Sequence, residues 1–293
     1  MSVTQPPAEA TLHLPRLLCL HGGGVTAEIF RLQSRSIVTA LTPYFRLVFA
    51  DGPFICNAGP GMVPVYADYG PYRRWLRWLP EHAEVPGGDA EAYGLIEGKM
   101  REAMEADDAR GATGEWVGLM GFSQGAKLAA SVLYETQLRQ EAADREAQEA
   151  NGMYGGFADE ADIRGFAGGS WKFATLMAGR APLVNLSELA SDSVTMVRAA
   201  DVSEGFPFDR APNENVLRLP TVHVHGLKDA GLHLHRKLLD TYCNAHTTTV
   251  VEWDGDHRIP LKSVDVNKLV GATLQVAVKT GVLKQSQVDS HAG

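Results

Sequence analysis

The chain has 293 residues, of which 45% are hydrophobic and 21% charged. That is enough apolar material for one large core and too much for a disordered chain. Its 27 basic and 35 acidic residues leave a net charge of −8, which argues against broad electrostatic capture of nucleic acid or of an anionic membrane surface.

Residues 1–15 read as a flexible arm with no basic segment of the kind that opens a secretory signal. No window approaches the roughly 20 apolar residues of a membrane span. Cys19, Cys56 and Cys243 are odd in number and make no CxxC pair, so neither a disulfide framework nor a zinc site is expected. These features together point to a cytoplasmic protein.

Residues 16–20 are a short apolar run that stops at His21-Gly-Gly-Gly24, as a buried strand entering a tight loop would. Helical spacing over 27–41 is closed by Pro43, and a second buried strand at 45–50 ends in Asp51-Gly52-Pro53. The stretch 57–89 is rich in glycine, proline and aromatics with little periodicity, and is expected to form a lid. A helix over 90–107 leads to a strand at 116–120, then to Gly121-Phe-Ser-Gln-Gly125 and a long Ala/Leu-rich helix.

Residues 140–165 turn acidic and then glycine-rich, which predicts an exposed helix end and a flexible loop. Further strands are expected at 173–177, 221–225 and 248–253, with helical patterns between them and over 263–279, before a tail at 281–293. No internal repeat is visible. The alternation indicates one α/β domain over 16–280, its sheet mostly parallel with helices on both faces. Ligands then bind at the carboxyl ends of the strands.

The chemistry centres on Gly121-x-Ser123-x-Gly125, placed between a predicted strand and a predicted helix. Glycines two residues to either side let the backbone bend sharply, so that the serine hydroxyl leaves the sheet. A serine needs a base, and a base needs an orienting acid. His257 and Asp229 follow in the order Ser, Asp, His, each just past a predicted strand. The rival acids are Asp201, Asp254 and Asp256, the last two too close in sequence to His257 to reach its far nitrogen easily. His21-Gly-Gly-Gly24 supplies amides for a developing oxyanion, assigned to Gly23 together with the amide of Gln124; Gly24 is the close alternative.

These residues resemble the family of serine hydrolases, small α/β-hydrolases that include fungal polyketide-releasing thioesterases of the lovastatin-pathway type. The resemblance runs in order through Leu17-Leu-Cys-Leu-His-Gly-Gly-Gly24 with Phe30, Phe49-Ala-Asp-Gly-Pro53, Gly121-Phe-Ser-Gln-Gly125 and His223-Val-His-Gly226 with Asp229. It implies an α/β-hydrolase fold, a Ser123–Asp229–His257 triad and cleavage of esters or thioesters without a cofactor. It also implies, as partners, an acyl or polyketide substrate and the acyl carrier protein of its synthase. The chain departs from the family at Gly255-Asp-His-Arg-Ile-Pro260, which keeps the histidine and changes its neighbours, and in the acidic stretch after the nucleophile helix.

Other residues carry weaker signals. His223, His225, His233 and His235 suggest a metal only faintly, because strand histidines near a triad more often pack or hydrogen-bond, and no metal is expected. Tyr72-Arg-Arg-Trp-Leu-Arg-Trp78 is a basic-aromatic cluster inside the lid. If helical, it would turn Trp75 and Trp78 to an acyl pocket and Arg73 and Arg77 to an acidic carrier. Phe122 and Gly24 complete the candidate substrate contacts. The leading expectation is a thioesterase; its rivals are a carboxylesterase acting on a free small ester and a non-catalytic binding protein that retains the fold.

Overall fold

A computed structural model describes residues 8–154, 164–190, 193–207 and 214–290. In chain order the strands and helices are β1 (Arg16–Leu20), α1 (Ala27–Gln33), α2 (Arg35–Leu41), β2 (Arg46–Ala50), β3 (Phe54–Ile55), β4 (Arg73–Arg74), α3 (Gly88–Asp108), β5 (Trp116–Phe122) and α4 (Gln124–Tyr154). There follow β6 (Phe173–Met177), β7 (Val184–Asn185), β8 (Val197–Arg198), β9 (Thr221–Gly226), α5 (Leu232–Tyr242), β10 (Thr248–Trp253), α6 (Ser263–Lys279) and α7 (Gln285–Asp289). Among the described residues six strands make one parallel sheet in the order β10-β9-β6-β5-β1-β2.

The period-two alternation of a strand divides the core. Leu18 and Leu20 of β1 pack on the face covered by α3 and α4, whereas Leu17 and Cys19 pack on the face covered by α2 and α6. Apolar residues on both faces explain why β1 and most of β5 are buried along their length, as parallel strands between helix layers are. The strand order sets β1 beside β5 and β9 beside β10, so the glycine loop, the serine turn and the loops after β9 and β10 meet at one edge.

The single helix expected over 27–41 is two. Ser34 leaves helical geometry at φ −92° and ψ 9°, and its hydroxyl donates to the Phe30 carbonyl at 2.7 Å, completing the first helix locally. In the described part of the arm at 1–15, Ala8–Thr11 is a 3-10 turn, and the Leu12 carbonyl accepts the Thr113 and Gly114 amides. Residues 1–7 lie outside the described residues. The helix that carries the acidic stretch continues to Tyr154, increasingly solvated after Gln137; residues 155–163 lie outside the described residues. Beyond them Phe166 and Trp171 are buried, with the Trp171 indole donating to the Phe166 carbonyl at 2.7 Å.

One buried ionic cluster joins the amino ends of β1 and β2 to the end of α3. Asp107, 1% exposed, accepts Nε and Nη2 of Arg46 at 2.8 and 2.6 Å and lies 3.4 Å from Nη1 of Arg16. Arg16 also donates to the Gly114 carbonyl at 2.6 Å and stacks over Trp116. The bond to Asp107 holds the Arg46 guanidinium above its ordinary pKa.

Candidate active site

Ser123 makes the turn between β5 and α4 at φ 52°, a left-handed conformation that costs a non-glycine residue about 1–3 kcal/mol. Neighbouring structure holds it there: the Ser123 amide donates to the Met177 carbonyl at 2.8 Å, and its carbonyl accepts the Ala126 and Lys127 amides at 3.1 Å. Gly125 makes the close packing possible, since a Cβ at that position would lie 2.0 Å from the Leu20 carbonyl oxygen.

The Ser123 hydroxyl lies 2.9 Å from Nε2 of His257, whose Nδ1 lies 2.6 Å from Oδ2 of Asp229. The other carboxylate oxygen accepts the Gly231 amide at 2.7 Å. Burial alone would raise the Asp229 carboxyl, but the Gly231 amide and His257 outweigh it and hold the group below its ordinary range. The acid and base loops are stitched together, the Leu227 amide donating to the Trp253 carbonyl at 2.9 Å and the Lys228 amide to the Gly255 carbonyl at 2.8 Å. Asp254 and Asp256 instead pair with Lys228 and Arg258 at the surface.

His21 locks the glycine loop against the sheet. Its Nδ1 donates to the Gly22 carbonyl at 2.6 Å and its Nε2 accepts the Gly52 amide at 2.9 Å. A Cβ on Gly22 would sit 3.5 Å from Cβ of Ser123, so the loop runs directly beside the serine. The Gly23 amide has no hydrogen-bond partner among the described residues, and Gln124 opens α4, where the first amides lack intrahelical acceptors. The Gly24 amide, the close alternative, is already bonded to the Arg73 carbonyl at 2.9 Å.

The cluster at 72–78 is not a helix. Arg73–Arg74 pairs antiparallel with Phe54–Ile55, because the Arg73 amide and carbonyl bond the Val25 carbonyl and the Gly24 amide across the loop. The expected arginine face is absent: Arg73 donates to the Gly52 carbonyl, Arg74 is buried over Phe54 and donates to the Ala83 carbonyl, and Arg77 donates to the His82 and Ala200 carbonyls. Trp75 is fully buried, its ring centre 5.3 Å from that of His21 and its indole donating to the His21 carbonyl, so it packs beneath the glycine loop. Trp78 covers Gly23, where a Cβ would fall 2.6 Å from its ring, and Phe122 packs on His257 at 5.1 Å between ring centres.

Gln124 was legible as a backbone donor, but its side chain has a second role. Its Oε1 accepts the Trp75 and Leu76 amides at 2.6 and 3.2 Å, and its Nε2 donates to the Leu76 carbonyl at 3.1 Å. Gln124→Ala leaves these groups unpaired and should cost about 1–3 kcal/mol. The expected result is a lower Tm and faster proteolysis near residue 76; an unchanged Tm and cleavage rate would contradict the latch.

A family model described as "Serine hydrolase (FSH1)" matches residues 10–269. The chain belongs to this serine hydrolase family. The esterase pigG of Monascus ruber is 46% identical over 97% of this chain and 99% of its own. Esterase citA of the same organism is 43% identical over 92% and 95%, and esterase claE of Penicillium crustosum 42% identical over 96% and 100%. Among solved structures, the Bacillus cereus carboxylesterase is similar with a TM-score of 0.47 at 15% identity, covering 90% of this chain and 89% of its own. This serine hydrolase is an ester-hydrolysing enzyme with an α/β-hydrolase domain, and no helix among its described residues is long and apolar enough to cross a membrane.

The hydrolase also holds a row of imidazoles that runs from His223 through His225 and His235 to His257, with ring centres 5.9, 5.7 and 6.1 Å apart. His235 is fully buried, with Nε2 3.6 Å from Oδ2 of Asp229 and no hydrogen bond at either nitrogen among the described residues. Ligand atoms of Asp229, His235 and His257 lie within 4.8 Å of one another, but two of these residues are committed to the chain that ends at Ser123, and a metal would break it.

Burial lowers the pKa of His21 to about 4 and of His223 and His235 to about 3 from an ordinary 6.5. Below pH 6.5 the unfolded chain therefore binds protons that the folded chain refuses, and stability falls with pH until the folded values are reached. Each group contributes on the order of 1 kcal/mol per pH unit in that window. Urea unfolding should show maximal stability above about pH 6.5 and a decline toward pH 4 that His223→Gln makes shallower.

Proposed function

We propose that this serine hydrolase cleaves a carboxylic ester of a small free metabolite through an acyl-enzyme on Ser123. In this reading His257 takes the Ser123 proton during attack and returns it to the leaving alcohol, then activates water for deacylation. Asp229 fixes the tautomer with Nδ1 protonated and stabilises the imidazolium. The amides of Gly23 and Gln124 stabilise the oxyanion. No cofactor enters the scheme. The observation that carries the reading is the hydrogen-bonded chain from Asp229 through His257 to Ser123 at 2.6 and 2.9 Å.

Two observations favour an oxygen ester over release of an acyl chain from a carrier protein. Relatives at 42–46% identity that span nearly the whole chain are named esterases, and Arg73, Arg74 and Arg77 each spend donors on internal carbonyls. Matched oxygen ester, free thioester and carrier-bound thioester of one acyl chain separate the two functions. The expected order of kcat/KM sets the oxygen ester first, with no gain from the carrier. A carrier-bound thioester turned over much faster than the free one would instead establish carrier unloading.

A further inference from the structure

His235 stands against the acid of the triad and has no part in the chemistry above. Its place follows from the start of α5. The Asp229 carbonyl accepts the Leu232 amide at 3.0 Å, and Oδ1 of Asp229 accepts the Gly231 amide at 2.7 Å. One helical turn on, the His235 amide bonds the Gly231 carbonyl at 3.2 Å. The same helix thus lays the imidazole against the other carboxylate oxygen, with Nε2 3.6 Å from Oδ2. Oδ2 is also the oxygen 2.6 Å from Nδ1 of His257, so two imidazoles, 6.1 Å apart between ring centres, flank one oxygen.

A fully buried imidazole with no hydrogen bond among the described residues is costly, and a phenylalanine would fill its place without that cost. A neutral ring has one N–H and one lone pair. A lone pair turned to Oδ2 would repel the carboxylate, so the proton belongs on Nε2. At 3.6 Å the contact is longer than a hydrogen bond. It is an N–H dipole facing a charge away from solvent, where screening is weak, and such contacts tighten as charge develops in the reaction. The other titratable or charged groups facing the pair are His225 on β9, its ring centre 5.7 Å from that of His235, and Arg180 from the loop after β6. Arg180 lies nearest the oxygen turned away from His257, with Nη2 3.9 Å from Oδ1.

We propose that His235 is a positioning residue for the triad: neutral and protonated on Nε2, it holds Oδ2 of Asp229 toward His257 and offsets part of the carboxylate's charge there. The inference rests on the reading of Ser123, His257 and Asp229 as the catalytic groups, and adds a side chain that acts through Asp229. The sign of its effect is set by the dipole. With the N–H removed, the whole carboxylate charge acts on His257 and favours the imidazolium, so the base is lost to protonation at a higher pH. Oδ2 is also held less firmly, so kcat falls while substrate binding does not.

Two measurements test this. Nitrogen–proton correlation spectra of wild type with isotope-labelled histidine, assigned through bonds to the backbone, read the tautomer of His235. The expected result is a neutral ring with its proton on Nε2 from about pH 5 to 8; a proton on Nδ1, or a cationic ring, overturns the inference without any variant having to fold. kcat and KM are then followed against pH with one activated ester for wild type, His235→Phe and His235→Gln. The phenylalanine variant should lose about tenfold in kcat with KM unchanged, and its acid limb should move up by about half a pH unit or more. Glutamine keeps an N–H and should return the limb toward wild type. A merely structural histidine would lower Tm and leave the limb in place, so an unmoved or lowered limb in His235→Phe, or an equal shift in both variants, overturns the proposal. Ser123→Ala is run alongside: hydrolysis that persists there overturns the nucleophile reading and this inference with it, whereas serine-dependent hydrolysis with an unmoved limb overturns the role of His235 alone.

Discussion

Replacing Ser123 by alanine should lower kcat for a simple ester by on the order of 10⁴- to 10⁶-fold while changing Tm little, because alanine keeps the Cβ and the same strained φ of 52° and loses only the hydroxyl. His257→Ala should lose a similar amount, and the double variant little more than either, since a nucleophile and its base act as one unit. Asp229→Asn is expected to cost about 10⁴-fold, because the amide loses the charge and favours the wrong imidazole tautomer at a contact of 2.6 Å. Steady-state kinetics with one activated ester read all four variants. Additive losses in the double variant, or a Ser123→Ala enzyme within tenfold of wild type, would break the assignment.

The second large effect is on stability. Asp107→Ala leaves the guanidiniums of Arg46 and Arg16 buried without their shared carboxylate, each less than 10% exposed. Removing one member of a buried ionic cluster costs about 3–5 kcal/mol, because the remaining charges have lost both water and partner. For a chain of this size that lowers Tm by roughly 5–8 °C. Asp108→Ala is the control: Asp108 also pairs with Arg16 but is 53% exposed, so its loss should stay within about 1 kcal/mol. Thermal and urea unfolding of both variants test the contrast, and equal shifts would show that burial does not set the value of these pairs.

The sequence made the sheet legible because its inner strands are buried on both faces and read as mostly apolar runs, such as Arg16–Leu20 and Phe173–Met177. It made the serine, acid and base legible because each sits just past a strand end, where residue type and order carry the signal. Contacts that depend on loop path were hidden. The segment 72–78 holds helix-compatible residues, yet cross-loop pairing with Val25 and Gly24 draws it into a strand. His235 looked ordinary because nothing in composition shows that an imidazole will be buried without a hydrogen-bond partner. Ser34 ends a helix through one hydroxyl bond to Phe30, a choice that apolar spacing does not record.

Intact mass spectrometry of the enzyme after brief exposure to a fluorophosphonate ester asks most directly whether Ser123 is the nucleophile that His257 activates. The expected result is one adduct per chain, mapped by peptide sequencing to Ser123, absent from Ser123→Ala and formed far more slowly by His257→Ala. An adduct on another residue, or an unlabelled wild type that still hydrolyses esters, would contradict it.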